Sequence, residues 1–334
     1  MASNGLYSRE DETFVKKLLE HGVLLDEFVN RFGFTQEQIT AMFQSFRKDF
    51  YRVFIIEKCG DLWLVLKPDY MKFMGYNDKI ITKKNVLKIC LTADPHFGSV
   101  NDNPGIMDKV EEFCTGEGIE HIVYLGDTRE GTEYYIKKYA KGKCRCELDE
   151  ESELEYLNQN IPYNKLTTKH ILETNHDVFS DDGISRDFVK QLRDKYGRED
   201  LKVTGFDYAE LPVNGDTLYL NHGYVRDFSD FDYENESRLY LCGHSHRSLS
   251  RNNLERGYFV EYVTTLSNIE HKNRNRPDEE NNFYVGFEVL EIEFNDNKSF
   301  NNVLITRYKT TNSPYSKPEA LPHQDLIEFS RVRK

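Results

Sequence analysis

Seven residues able to ligate divalent cations fall in five short polar clusters: Asp94 with His96, Asp127, Asn175, His222, and His244 with His246. An apolar, strand-like run precedes each cluster. Val86–Ala93 leads into Asp94-Pro95-His96, and His121–Leu125 into Gly126-Asp127. Lys169–Glu173 leads into Asn175-His176-Asp177, Thr217–Leu220 into Asn221-His222-Gly223, and Arg238–Cys242 into Gly243-His244-Ser245-His246. Carboxylate, amide and imidazole donors without a thiolate suit borderline or hard divalent ions such as manganese, iron or zinc. Seven donors are too many for one tetrahedral ion and suit two ions that share a bridging carboxylate. The chemistry open to such a pair is water activation and neutralisation of phosphoryl charge.

The elements that must position these residues are strands whose C-terminal ends converge. Ligand sites of α/β sheets gather at such ends. In extended backbone, residues two apart point to the same side. On that basis Asp94 and His96, like His244 and His246, should reach one centre or two adjacent ones. Gly126, Gly223 and Gly243 should permit tight turns with no side chain blocking the site.

From Val86 onward, strands are expected at 86–93, 120–125, 168–173, 217–221, 238–242, 258–265, 283–294 and 301–308. Helices are expected near 105–116, 131–142, 150–159 and 185–196. Early alternation of strand and helix argues for a parallel-rich sheet. The later run of strands argues for a second, more antiparallel sheet. Lys272 to Asn282 reads as a polar loop. The tail, 310–334, carries three prolines and reads as loosely held.

Residues 1–70 read as a separate winged helix-turn-helix domain. A short helix over Asp11–Glu20 ends at Gly22, and a second over Leu24–Phe32 ends at Gly33. A third starts at a capping box, with Thr35 as N-cap and Gln38 at the third helical position. Two apolar runs, Val53–Ile56 and Leu62–Leu66, flank Lys58-Cys59-Gly60-Asp61, which is a hairpin signal. Arg47, Lys48 and Arg52 could meet phosphates of a duplex. A protein-docking or dimerisation module has the same pattern, and residues 1–70 hold 9 basic against 11 acidic side chains. Residues 71–85 read as a linker, which could be strapped onto one domain, and 86–309 as the catalytic domain.

Composition narrows the function classes. The 334 residues are 38% hydrophobic and 30% charged, an ordinary globular balance. No apolar run approaches the length of a membrane span, and no secretory leader opens the chain. Six cysteines without a Cys-x-x-Cys pair point to a reducing, cytoplasmic setting, with Cys144 and Cys146 as surface thiols. Of the net charge of -13, residues 1–85 hold 13 basic and 12 acidic side chains (+1), so the rest of the chain carries -14. An acidic bulk disfavours extended contact with a phosphate backbone but leaves room for a local positive site made by metal ions.

Taken in order, Asp94-Pro95-His96, Gly126-Asp127, Asn175-His176-Asp177, His222 and Gly243-His244-Ser245-His246 resemble the calcineurin-like metallophosphoesterase superfamily over about residues 86–308. The chain is also similar to a phage and prokaryotic subgroup that places a winged helix before that domain. The resemblance implies an α/β fold, a four-layer αββα sandwich, with two metal ions at the strand ends. Manganese is the first expectation, with iron, zinc or nickel as alternatives. Asp94, His96 and His246 would hold one ion, Asn175, His222 and His244 the other, and Asp127 would bridge them. His176 would face the scissile phosphate. Asp177 would orient His176 or a neighbouring loop, and Arg129 could touch a substrate phosphate.

Two departures from the family pattern stand out. Thr174 replaces a glycine before Asn175, and Thr128-Arg129-Glu130-Gly131 is not the protein-phosphatase sequence. The expected activity is a metal-dependent phosphodiesterase or nuclease acting on nucleic acid or a nucleotide, located in the cytoplasm (of the host, if phage-encoded). The alternatives are a phosphomonoesterase for a small molecule or phosphoprotein, and a DNA- or protein-binding regulator with a vestigial metal site. No membrane partner is expected. DNA or RNA could bind through the winged helix, and that domain or the 131–160 segment could carry a homodimer contact.

Overall fold

The computed structural model describes residues 21–33, 53–66, 70–131, 144–146, 149–178, 187–223, 238–253, 258–268, 283–311 and 316–329, with the backbone alone at Asn175 and at Val53, Phe54, Glu57, Leu66, Tyr70, Met71, Val178, Asn252, Asn253 and His323. The expected helices over 11–20, 35–48 and 131–142 and the loop at 272–282 lie largely or wholly outside these residues. The described residues divide into two compact units, those up to Asn77 and those from Asp78 onward.

In the first unit, β1 (Val23–Leu24) leads into α1 (Leu25–Phe32). Asp26 and Glu27 in its first turn and Arg31 in its last complement the helix dipole. Gly33 ends it in the left-handed region (φ 63°), its N–H donating to the Val29 carbonyl. β2 (Val53–Lys58) and β3 (Asp61–Leu66) form the expected antiparallel hairpin. Its two turn residues, Cys59 and Gly60, have φ of 58° and 87°, as a type I′ turn requires. β1 adds to β3, giving the strand order β1-β3-β2. α2 (Tyr70–Met74) follows.

The second unit is mixed α/β. Its elements are β4 (Val86–Thr92), α3 (Ile106–Glu117), β5 (His121–Tyr124), α4 (Glu150–Asn160), β6 (Thr168–Glu173), α5 (Asn175–Val178), α6 (Phe188–Tyr196) and β7 (Leu201–Phe206). After these come β8 (Tyr208–Val213), β9 (Asp216–His222), β10 (Arg238–Gly243), β11 (Leu249–Asn253) and β12 (Tyr258–Tyr262). β13 (Gly286–Phe294), β14 (Phe300–Lys309) and β15 (Glu319–Glu328) complete the unit. Twelve strands run in one hydrogen-bonded order, β11-β12-β10-β9-β8-β7-β6-β5-β4-β13-β14-β15.

The ladder narrows to a single residue pair, Phe206 with Tyr208, between β7 and β8. Two half-sheets therefore meet at one corner, where separate sheets were expected. β4 to β7 pair in parallel, whereas β13, β14 and β15 pair antiparallel. The other half is mixed: β10 lies parallel to β9 and β12, and β8 and β11 are antiparallel to their neighbours.

One apolar core draws on both halves, with Leu87, Ile89 and Leu91 of β4 joining Leu218, Leu239, Phe259, Ile292, Val303 and Ile327. Arg307 on β14 ties the far edges together. Its Nη2 lies 2.6 Å from Glu261 Oε1 on β12 and 2.7 Å from Asp325 Oδ2 on β15. A side-chain bond from Ser250 on β11 to Asp325 crosses the same seam at 2.7 Å.

Within the stretch read as a linker, residues 78–85 are strapped onto the second unit. Ile80 is fully buried, donates to the Pro212 carbonyl at 2.9 Å and accepts from Asn214 N–H at 3.0 Å. The tail is not loose: β15 closes one sheet edge, and Phe329 packs on Phe259 and Phe300 at centroid distances of 5.9 and 5.7 Å. Pro322 falls at the break in the β14–β15 register, on an edge strand, where a missing N–H costs little. Among the described residues no helix is long and apolar enough to cross a membrane.

Phe329→Ala should cost about 3–5 kcal/mol, the usual range for emptying a buried aromatic site. A urea unfolding midpoint for the full chain measures it. An unchanged midpoint would mean that the C-terminal segment adds nothing to the core.

Candidate metal centre

The strand ends converge because backbone hydrogen bonds continue past the strands. Beyond the parallel β4–β5 pair, Asp94 N–H donates to Gly126 O (3.2 Å), His96 N–H to Asp127 O (3.0 Å) and Phe97 N–H to Thr128 O (3.0 Å). At the β7–β8 corner, Asp207 N–H donates to Glu173 O and His222 N–H to Asp207 O, both at 2.8 Å. The ends of β6 and β9 are thereby fastened to one residue.

Five candidate ligands occupy the left-handed region: Asp94 (φ 51°), His96 (48°), Asp127 (47°), His244 (70°) and His246 (55°). This corrects the expectation that pairs two apart converge because the backbone is extended. They converge from turns just past the strands. Such a conformation is costly for residues with a Cβ and persists where surrounding bonds over-determine it.

Among the described residues three groups of candidate donors converge. One, His96, Glu130 and His176, overlaps another at His96, and the other two are the ligand sets. Donor atoms of Asp94, His96 and His246 lie within 4.8 Å of one another, as do those of Asp127, His222 and His244. The sets abut at Asp127. Its Oδ2 lies 3.0 Å from His222 Nε2 and 3.6 Å from His96 Nε2. His96 Nε2 is 3.4 Å from His246 Nε2, which is 3.5 Å from Asp94 Oδ1. The backbone N–H of His244 donates to Asp94 Oδ2 at 2.9 Å. Asn175 begins α5, directly after β6, and its side chain lies outside the described atoms.

The far ring nitrogens are pinned. His222 Nδ1 donates to the Leu125 carbonyl at 2.7 Å, and His96 Nδ1 lies 2.9 Å from Glu130 Oε2. Metal-binding imidazoles use their second nitrogen this way, which fixes tautomer and ring orientation. The inward nitrogen of His222, Nε2, is buried and makes no hydrogen bond despite its closeness to Asp127. An orphaned imidazole nitrogen beside a buried carboxylate, amid convergent nitrogens and oxygens, fits divalent cations.

Two glycines make room for His222. A Cβ on Gly126 would collide with its Nδ1, and a Cβ on Gly243 would strike the Leu125 carbonyl and approach that Nδ1 to 3.0 Å. A Cβ on Gly223 would meet nothing within 4 Å. Clearance, beyond turn geometry, is thus the requirement at two of the three expected glycines.

The other expected site residues divide. His176 lies at the rim, its ring edge-on to His96 at 5.2 Å and its Nδ1 2.9 Å from the Glu130 carbonyl. Asp177 is fully buried and braces the loops. It accepts from Arg129 N–H at 3.0 Å and from Thr174 N–H at 2.9 Å, and its Oδ2 lies 3.0 Å from the Thr174 hydroxyl oxygen. Burial, then the charge of Asp127, pushes its carboxyl up to about 7. Arg129 departs from the expected phosphate contact. Its guanidinium is 3% exposed and its Nη1 pairs with Glu153 on α4 at 3.1 Å. Glu130 was not singled out from the sequence. The need of a ligating His for a carboxylate partner is the signal, but no spacing rule ties Glu130 to His96.

Burial and the close approach of these groups shift their charges strongly. Burial alone would lower His96, but the bond to Glu130 and the charges of Asp127, Glu130 and Asp94 raise it to about 9. Burial is likewise outweighed at His222, which Asp127 raises to about 10. Burial tends to raise Asp127, yet His222, His176 and His96 hold it well below the usual carboxylate range.

No protein-family model matches the chain, and no curated protein matches it. Solved structures that resemble it include vacuolar protein sorting 29 from Cryptosporidium parvum, with TM-score 0.37 and 11% identity over 73% of this chain and 98% of that one. The phosphoesterase YfcE from E. coli has TM-score 0.36 and 16% identity over 64% and 96%. Vps29 complexed with Zn2+ from Entamoeba histolytica has TM-score 0.36 and 13% identity over 73% and 99%. Similarity at this level carries no argument about function, which rests on the residues themselves.

Two outcomes follow from this geometry. Gly126→Ala or Gly243→Ala should displace His222 and weaken manganese binding at least about tenfold, as loss of ligand orientation does elsewhere; calorimetric titration reads it, and unaltered affinity would refute the clearance argument. The second concerns pH. Raised imidazoles contribute stability that is full below the unfolded value of about 6.5 and lost as pH climbs through about 9 to 10. Metal must displace those protons, so manganese affinity should rise between pH 6.5 and 9 with proton release on binding. Calorimetry in two buffers of different ionisation enthalpy tests this, and pH-independent affinity would contradict it.

Proposed function

We propose that this chain is a phosphoesterase working with two divalent ions, manganese first, and that it cleaves phosphodiesters of a nucleic acid or nucleotide. The observation that carries the reading is the pair of abutting ligand sets, joined at Asp127, with His176 standing beside them. Asp94, His96 and His246 would hold one ion. His222, His244 and Asn175 would hold the other, with Asp127 shared. We take the two half-sheets and their helices as the αββα sandwich that the motif order implies.

Two such ions, when bound, supply an activated water and positive charge against the phosphoryl oxygens. The chain's own residues do the rest. Asp127 places its buried charge between the two ligand sets. Glu130 holds His96 by its carboxylate and His176 by its carbonyl. With Nδ1 committed to that carbonyl, His176 would offer its other nitrogen, Nε2, to the leaving oxygen as proton donor or charge stabiliser. Asp177 and the Arg129–Glu153 pair keep the 127–131 loop in place beneath it.

The first unit supports a diester preference. Its α1, β2–β3 hairpin and antiparallel β1-β3-β2 sheet accord with a winged helix, a module suited to nucleic acid. The acidic bulk of the chain argues for a local contact over an extended one.

Turnover of bis-p-nitrophenyl phosphate and p-nitrophenyl phosphate by manganese-loaded protein tests the proposal. The diester should be preferred, and His176→Ala should lower its turnover by about 10²–10⁴-fold with metal content unchanged, as loss of a general acid does. Preference for the monoester would make the protein a phosphatase and the first unit a docking module. Full activity of His176→Ala would remove that residue from the chemistry. No turnover of either ester with metal bound would favour a binding protein.

A further inference from the structure

The residue before Asn175 carries the inference. Thr174 directly follows β6, is fully buried, and touches the carboxylate of Asp127 on one side and that of Asp177 on the other. Its Oγ1 lies 2.5 Å from Asp127 Oδ1 and 3.0 Å from Asp177 Oδ2, and accepts from the Asp127 N–H at 3.2 Å. A hydroxyl has one proton to give, and the shorter contact places it on Asp127 Oδ1. Its methyl, Cγ2, faces Gly126 so closely that a Cβ there would collide with it. Both branches of the side chain are thus engaged, and β-branching fixes χ1.

The two oxygens of Asp127 consequently differ. Oδ1 is capped by the hydroxyl. Oδ2 lies opposite His96 Nε2 of one ligand set and His222 Nε2 of the other. We propose that Thr174 is the positioning residue for the metal bridge: its hydroxyl caps one oxygen of Asp127, so that the other alone is shared between the two ions. The inference rests on the dinuclear reading above and deepens it. A hydrogen without a side chain at this position would leave Oδ1 uncapped and open to a metal. Valine would keep the shape and remove the proton.

The test compares full-length wild type with Thr174→Val and Thr174→Ser, each loaded with manganese. Stoichiometry and stepwise affinity come from calorimetry, and spin coupling between the ions from electron paramagnetic resonance. Wild type should bind two ions with an exchange-coupled spectrum. Thr174→Val should keep the thermal midpoint within a few degrees, lose about 10–100-fold in affinity for the second ion, and change or lose the coupled spectrum. Thr174→Ser, which retains the hydroxyl, should restore both.

Coupling and affinities unaltered in Thr174→Val, with two ions bound by wild type, would overturn the role of Thr174 and leave the dinuclear reading standing. Fewer than two ions in wild type would overturn both. If Thr174→Val fails to fold, a Thr174→Ser protein without the coupled spectrum would still refute the hydroxyl's part.

Discussion

An ionised carboxylate buried as deeply as Asp127 must be met by positive charge or by hydrogen-bond donors, because the interior solvates it poorly. The fold is arranged around that need. Gly126 admits the ring of His222, Thr174 caps one carboxylate oxygen, and imidazoles from two ligand sets approach the other. Those imidazoles compensate by holding protons well above their ordinary range.

Strain gathers at the same place. Five of the nine described non-glycine residues with positive φ are candidate ligands. Local propensity would not put Asp and His there in such density. Loop-to-loop hydrogen bonds from 94–97 to 126–130 and the Asp207 corner hold them, so the apolar core beneath bears the cost. Asp177 and Arg129, polar and buried, belong to this holding framework.

The donor types were legible in the sequence because each cluster follows an apolar run, and a run of that kind ends where a site can form. Strands β4, β5, β6, β9 and β10 were legible for the same reason, and β12, β13 and β14 from their apolar, strand-like runs alone. What escaped has physical causes. β7 and β8 meet at a corner containing Gly205 and Asp207, and β11 is polar. β15 contains Pro322, which an edge strand tolerates at a register break. Arg129 could be read as a phosphate contact, yet Glu153, 24 residues on, takes it into the interior. Glu130 and Thr174 act through contacts 34 and 47 residues away, which no local spacing encodes.

The most direct test of the account is anomalous diffraction from crystals of the manganese-loaded protein. Two anomalous peaks about 3.5–4 Å apart, one among Asp94, His96 and His246 and the other among His222, His244 and Asn175, with Asp127 Oδ2 between them, are predicted. A single peak, or ions bound away from Asp127, would contradict the central claim that this buried carboxylate joins two metal sites.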